Sequence, residues 1–315
     1  MNQDTRLYLV AKMYYIDQMK QNEIADALQI QSMAVSRLLR RAEQEGIVTF
    51  HVQEPNQINW NLGKEFKKKY PHMKEVIVVD VLEGQDARVV VGKAAAFYLK
   101  GIINKNSVIG ISWGRVIQRF TEALPNMDFP DVRVLQMSGG FLCAHEEAMM
   151  PSNLVKSMSE RLHCGSCFLN APLIVESNEI RTALMKDALL QYMEELSAKM
   201  DVSIYGLSAL SRKTTMSNMG LLPEESYNEL LRLGAVGDVM GYFIGEDGQL
   251  IKWSRWDCYM GTSIQTAISA PNAICLASGV EKRQILELAL KFHYCNTLIV
   301  SSDLANALLN RAAEG

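Results

Sequence analysis

Charge of one sign is scarce in this sequence. The net charge is −3 over 315 residues, so no global excess of Lys and Arg steers the chain to nucleic acid. Even residues 1–52 balance, with six Lys/Arg against six Asp/Glu. Long apolar runs are missing as well: none approaches the roughly 18 residues that a bilayer-spanning helix needs. The start, MNQDTRLYLV, has no basic flank leading into an apolar core, so no secretory signal is expected there. The expectation is a cytoplasmic protein with no membrane partner. Cysteine is sparse too, at six (143, 164, 167, 258, 275 and 295), and in that compartment reduced thiols are expected rather than a disulfide framework.

What is present is ordinary in bulk and specific in pattern. Hydrophobic content of 48% and charged content of 21% suit a soluble globular protein, and the length suits one small domain plus one large one. The chain is organised around QNEIADALQIQSMAVSRLLRRAEQEGIV, residues 21–48. Ile24, Ala25 and Leu28 repeat at helical spacing, and Val35, Leu38, Leu39 and Ala42 repeat again after a break at Gln29–Ser32. Two short helices so joined read as a helix-turn-helix, with Ser36, Arg37, Arg40 and Arg41 on the second helix's outer side. Guanidinium groups placed there reach phosphates and guanine edges in a major groove. An antiparallel helix pair with a solvated basic face remains the alternative. Leu7, Val10, Ala11, Tyr14 and Tyr15 predict a bracing helix in front, and IVTFHV after Gly46 predicts a short strand or wing.

The polar, Pro-containing stretch QEPNQ at 53–57 marks a boundary, giving a DNA-binding domain over 1–54, a linker over 55–60 and a large domain over 61–315. A helix is expected from Trp60 to Lys69, its lysines forming a solvated face. From residue 75, β-branched runs alternate with helical ones: EVIVVDV, SVIGIS, VRVLQMS, CFLNAPLIV, DVSIYGL, AICLAS and TLIVSS, with a helix expected over about 179–198 and another over about 223–233. Apolar strands in βα order predict a doubly wound, mostly parallel α/β sheet, which binds ligands along the strands' C-terminal edge. Glycines collect there: Gly114 after SVIGIS, Gly139 and Gly140 after VLQMS, Gly206, and Gly279 after ICLAS. Such turns open backbone N–H groups to a ligand, although turns also need glycine for their own sake.

Residues 21–48 resemble the DNA-binding segment of SorC/DeoR-like sugar-responsive bacterial transcriptional regulators. Gln21, Glu23, Ile24, Ala25 and Val35–Leu39 carry the match. Gln29 stands where that family has a turn glycine and Gln31 where it has a capping serine, so Ser32 is expected to cap the helix one residue late. GAVGD at 234–238, the turn at Glu246–Gly248, GISWG at 110–114, SGG at 138–140 and the Gly-x-x-Lys of 279–282 resemble the same family's effector domain, in the same order. Phe141, Leu142 and Cys143 after SGG, and Ser278 before Gly279, depart from it.

The resemblance implies a phosphosugar isomerase/CoA-transferase-like fold, a phosphorylated sugar as effector, double-stranded operator DNA as partner and a homotetramer, with no cofactor, no metal and no catalysis. It places DNA contacts on Gln31, Ser32, Met33, Ala34, Ser36, Arg37, Arg40 and Arg41. It places ligand contacts on Ser112, Trp113, Gly114, Ser138, Gly139, Gly140, Asp238, Gly279 and Lys282, with Asp238 on a sugar hydroxyl and Lys282 on the phosphate or sugar. Two other readings stand beside it. Cys143, His145, His163, Cys164 and Cys167 have the ligand types of a metal or redox sensor, although FLNAPLIV after Cys167 reads as a buried strand. A sugar-phosphate isomerase would need an acid and a base, for which Asp238, His145, Glu146 and Glu147 are the candidates.

Overall fold

The computed structural model describes residues 3–49, 57–141 and 147–310. The chain divides into two units, Met1–Pro55 and Asn56–Gly315. In the first, helix α1 (Gln3–Ala11) runs into a π-helical turn, Lys12–Ile16, where the sequence predicts one continuous helix. The Asp17 N–H bonds the Lys12 carbonyl five residues back at 3.0 Å, and Lys12 Nζ pairs with the Asp17 carboxylate at 2.8 Å, which holds the wider turn. Helices α2 (Gln21–Leu28) and α3 (Ser32–Gln44) follow. Val10, Ile24, Ala25, Val35 and Leu39 form their shared core, and Leu7, Ala11 and Ala42 form a second small one.

The junction between α2 and α3 is strained where the sequence says it should be. Gln29 adopts left-handed backbone angles, φ 50° and ψ 48°, at the C-terminus of α2. A side chain there costs about 1 kcal/mol relative to glycine. Gln29→Gly is therefore expected to stabilise this unit by about 1 kcal/mol, read as a higher melting temperature; an unchanged or lower value would remove the strain argument. Ser32 does not cap α3. It is the first helical residue, and its Oγ donates to Asn22 Oδ1 at 2.9 Å, tying α3 to α2, while Gln31 holds the cap position without a side-chain bond. The expected wing is not a strand over 47–49: the Ile47 and Val48 N–H groups both bond the Ala42 carbonyl, so the chain stays wrapped on the end of α3. The remainder of IVTFHV lies outside the described residues.

The second unit opens with α4 (Trp60–Lys69), capped by the Asn59 side chain accepting from the Leu62 N–H. Then come β1 (Glu75–Val79), α5 (Ala87–Ile102), β2 (Val108–Ile111), α6 (Arg115–Ala123), β3 (Arg133–Gln136), α7 (Pro151–Leu162) and β4 (Gly165–Cys167). Helices α8 (Asn178–Leu184) and α9 (Ala188–Ser197) precede β5 (Val202–Ala209), short α10 (Thr215–Asn218) and α11 (Glu224–Arg232). A hairpin of β6 (Ala235–Val239) and β7 (Tyr242–Gly245), α12 (Ile264–Ile268), β8 (Asn272–Ala277), α13 (Arg283–Lys291), β9 (Thr297–Ser301) and α14 (Ser302–Asn310) complete it.

The parallel sheet has the order β1-β9-β8-β5-β2-β3-β4, and the antiparallel hairpin hooks onto the far half of β5 through Leu207↔Val239, Ser208↔Asp238 and Ala209↔Gly237. Helices α5, α6 and α7 cover one face, over Val79, Ile109, Val134 and Ile299. Helices α4, α9, α12, α13 and α14 cover the other, over Val78, Leu135, Tyr205 and Val300. Connections leaving β2 take the first face and those leaving β5 the second, although the two strands are neighbours. The sheet's switch point therefore lies between β2 and β5, and a crevice must open above it.

Three expectations differ in detail. FLNAPLIV is not a strand: beyond Cys167 the chain makes only isolated bridges, Gly140↔Pro172 and Ile174↔Tyr259. The helix expected over 179–198 is two, because Asp187 turns its carboxylate back to accept from the Leu189 N–H and so starts α9 afresh. The β6–β7 pair appears where the sequence offers only a Gly-rich segment. Among the described residues, no helix is long and apolar enough to cross a membrane.

Candidate functional site

On α3, the apolar side built from Val35, Leu39 and Ala42 is buried, which leaves Gln31, Ser32, Met33, Ser36, Arg37, Arg40 and Arg41 exposed and Ala34 half-buried. Seven of the eight expected DNA-contacting positions are thus exposed, Gln31, Ser32 and Met33 at the start of the helix and Ser36, Arg37, Arg40 and Arg41 along its side away from the core. They are not equivalent. Arg41 pairs through Nε with the Glu45 carboxylate one turn on, whereas Arg37 and Arg40 make no ion pair with a described residue. Met33, at the helix start, is 76% exposed, an apolar group in water that suits a thymine methyl. Tyr15 donates to Glu43 Oε1 at 2.7 Å, and that carboxylate pushes its phenol up to about 12, so the hydroxyl stays a donor bracing α3.

Above the switch point of the sheet lies a cavity of about 730 Å³. Its wall is assembled from turns: Ser112–Arg115 after β2, Gly206–Ser211 along the end of β5, Lys213–Met216 at α10, Asp238 with Met240 and Gly241 at the hairpin, and Ser278–Lys282 after β8. Six of the nine expected ligand positions meet there: Ser112, Trp113, Gly114, Asp238, Gly279 and Lys282. The volume is that of an ordinary small-molecule site.

Ser138, Gly139 and Gly140 do not line this cavity, and that expectation is corrected. They form a packing seam. The Gly139 N–H donates to the Met260 carbonyl at 2.8 Å and the Gly140 N–H to the Ala171 carbonyl at 2.7 Å. A Cβ on Gly139 would stand 2.8 Å from Leu173 Cα, so the close approach of the Pro172–Leu173 backbone already demands the glycine. Their only link to the cavity is Phe141, which packs edge-on against Trp113 at 4.8 Å between ring centres.

The cavity's charged groups interact. Asp238 is buried, and its Oδ2 accepts from the Gly241 N–H at 2.8 Å, fixing the hairpin turn. Burial pushes its carboxyl up to about 7, against the pull of the Gly241 bond and the Lys282 charge. Burial likewise pulls the Lys282 ammonium below its ordinary value, while Glu281 and Asp238 act to keep it charged. On the same wall, Asp86 caps α5, accepting from the Arg88 N–H at 2.9 Å, and takes Arg88 Nε and Nη2 at 2.9 and 2.8 Å, so that the arginine holds its carboxyl below the usual range. The wall thus offers Lys282, Arg88, Arg115 and Lys213 as cations and Asp238, Asp86 and Glu281 as anions. Such a mixture holds a polyol bearing an anionic group.

The sequence reading misses Asp86, Arg88, Lys213–Thr215 and Glu281. A signal exists for some: SALSRKTTMSN is a polar Ser/Thr-rich loop straight after a buried strand. The described members of the metal or redox cluster, His163, Cys164 and Cys167, form no metal site among themselves. Cys143 and His145 lie outside the described residues, and among the described residues no three His, Cys, Asp or Glu side chains converge. Burial pushes the Cys164 thiol up to about 11 and Cys167 upward, so both stay protonated and neither is a ready metal ligand. Of the isomerase candidates, Glu146 lies outside the described residues, and Glu147 lines a basin that adjoins the cavity through Arg88 and Arg115.

Comparison with known proteins follows the same division. The family described as "Putative sugar-binding domain" matches residues 55–310. The deoxyribonucleoside regulator of Bacillus subtilis is 23% identical over 302 residues, covering 95% of this chain and 96% of that protein. The sorbitol operon regulator of Klebsiella pneumoniae is 25% identical over 310 residues, covering 97% and 98%. The crystal structure of the full-length Klebsiella pneumoniae regulator SorC superposes with a TM-score of 0.72 over 98% of this chain and 100% of that one, at 25% identity. Both units are spanned, in order, by proteins named as regulators. The chain belongs to the SorC family of transcriptional regulators that carry this sugar-binding domain.

Proposed function

We propose that the protein is a DNA-binding regulator of a sugar-utilisation operon whose operator affinity is switched by a small phosphorylated sugar in the cavity above β2 and β5. The observation that carries this reading is the cavity wall itself: a buried Asp238, suited to sugar hydroxyls, beside Lys282, suited to a phosphate. The names of the relatives, which point to sorbitol and deoxyribonucleoside regulation in those proteins, agree with a sugar or sugar-derived effector. The protein acts by binding and not by turnover, in line with relatives that are named as regulators. It works as a homotetramer, because a first unit with two uncommitted arginines on one helix needs several copies to hold DNA tightly. The effector acts by binding the DNA-bound and free states unequally.

The deciding experiment is a thermal-shift screen of the purified chain against paired free and phosphorylated sugars, followed by gel shifts with the hits. A phosphorylated hit that changes operator affinity supports the reading; a full panel without a hit, or a hit with no effect on DNA, sinks it. Lys282→Ala should then narrow the calorimetric affinity gap between phosphorylated and free sugar, because a charge-assisted bond contributes about 1.5–3 kcal/mol. Equal losses for both sugars would show that Lys282 does not meet the phosphate. Light scattering should report a tetramer at micromolar concentration.

A further inference from the structure

Glu281 is oddly placed for an exposed glutamate. Gly279 closes β8 with φ +93°, and Val280–Lys282 make a single 3-10 turn before α13. A Cβ built on Gly279 would stand 2.6 Å from Glu281 Oε2 and 2.8 Å from its Cδ. The carboxylate therefore lies beside the glycine's α-carbon, folded back over the cavity rim while still open to water. It makes no hydrogen bond or ion pair with a described residue that would explain the fold-back. Its neighbours on that rim are Ser278, Gly279 and Lys282, and its charge helps to keep the Lys282 ammonium protonated. A carboxylate prefers hydration, and the nearby Lys282 ammonium attracts this one through space.

We infer that Glu281 fills, in the unliganded chain, the seat on Gly279 that the effector's anionic group takes, and that it swings out when the effector binds. Glycine at 279 leaves room for either occupant but not for both, since two anions would crowd one ammonium. Glu281 is thereby a specificity-determining residue. A sugar hydroxyl cannot displace the resident carboxylate from its seat on Gly279, and a singly charged sugar acid gains little by exchanging like for like. A dianionic phosphate wins the exchange. Discrimination against free and oxidised sugars then comes from a built-in competitor as well as from favourable contacts.

The inference rests on the reading of Lys282 as facing the effector's anion, and its test uses inorganic phosphate as the probe, titrated calorimetrically into the full-length chain. Glu281→Gln removes the charge. Glu281→Asp keeps the charge, but its shorter side chain cannot lie on Gly279. Both variants are expected to bind phosphate about tenfold more tightly than the wild type, and Lys282→Met added to Glu281→Gln should remove that gain. If neither variant tightens binding, the seat is wrong. If Glu281→Gln tightens it while Glu281→Asp matches the wild type, the effect is charge acting through space and the seat is equally overturned. Both variants tightening while no sugar phosphate binds the wild type would leave the seat standing and end the proposed function. Sugar phosphates binding normally while both variants match the wild type would do the reverse.

Discussion

Arg37→Ala and Arg40→Ala are each expected to weaken operator binding by about 1–3 kcal/mol if the guanidinium reads a base edge. The two residues are exposed on the face of α3 opposite Val35 and Leu39, one turn apart, and neither is paired with a described residue. Their removal leaves the core of the unit intact, so lost binding cannot be ascribed to unfolding. Arg41 provides the internal control. Its charge already meets Glu45, so Arg41→Ala should cost less than either. Salt dependence sorts the contacts further: losing a phosphate contact flattens the slope of log affinity against log salt by about one and weakens all sequences alike. Gel shifts in which folded Arg37→Ala and Arg40→Ala bind like the wild type would falsify the assignment of α3 as the recognition helix.

The second large effect is a pH dependence centred on Asp238. Burial raises its carboxyl from the ordinary 3.8 to about 7 in the folded chain. In the unfolded chain it titrates near its ordinary value, so between about pH 4 and pH 7 the folded state holds a proton that the unfolded state has lost. Stability from this group is complete below that window and falls as pH rises through it, by up to about 4 kcal/mol for a three-unit shift. Asp238→Asn keeps an oxygen for the Gly241 N–H and never ionises. The variant should match the wild type near pH 3 and melt at a higher temperature at pH 8, the gap widening in between. A constant gap across that range would mean that Asp238 ionises in the folded chain as easily as in water. The same substitution should weaken a phosphorylated sugar while leaving inorganic phosphate unaffected or tighter, since it removes a hydroxyl acceptor and a like charge together.

The parts of the fold that the sequence made legible are those where one residue period suffices. EVIVVDV, TLIVSS and AICLAS can only be strands buried on both faces, and α4 falls on Trp60–Lys69 as its periodicity and capping Asn59 require. FLNAPLIV misleads because an apolar run states burial and not conformation; Pro172, within it, cannot donate to a ladder. The hairpin at 235–245 hides because its glycines suit a turn as well as a strand, and its partner is the far half of β5. For the cavity, Asp238, Gly279 and Lys282 were readable through resemblance. Ser138–Gly140 were misplaced because glycine at a strand end serves a close-packed neighbour as readily as a ligand. Glu281 carries no local signal: its significance lies in where a flexible side chain folds back, which no spacing encodes.

The pairing of β1 with β9 has a consequence for the order of events in the cell. Residues 75–79 hydrogen-bond with 297–301, so the sheet cannot close during synthesis until almost all of the described chain has left the ribosome. The helices ahead of it share small cores built from residues 7–48. A nascent chain would therefore own a finished DNA reader well before it owns anything able to restrain that reader. Short or stalled translation products would carry one reader each, deaf to the effector and, without further copies, holding an operator only weakly.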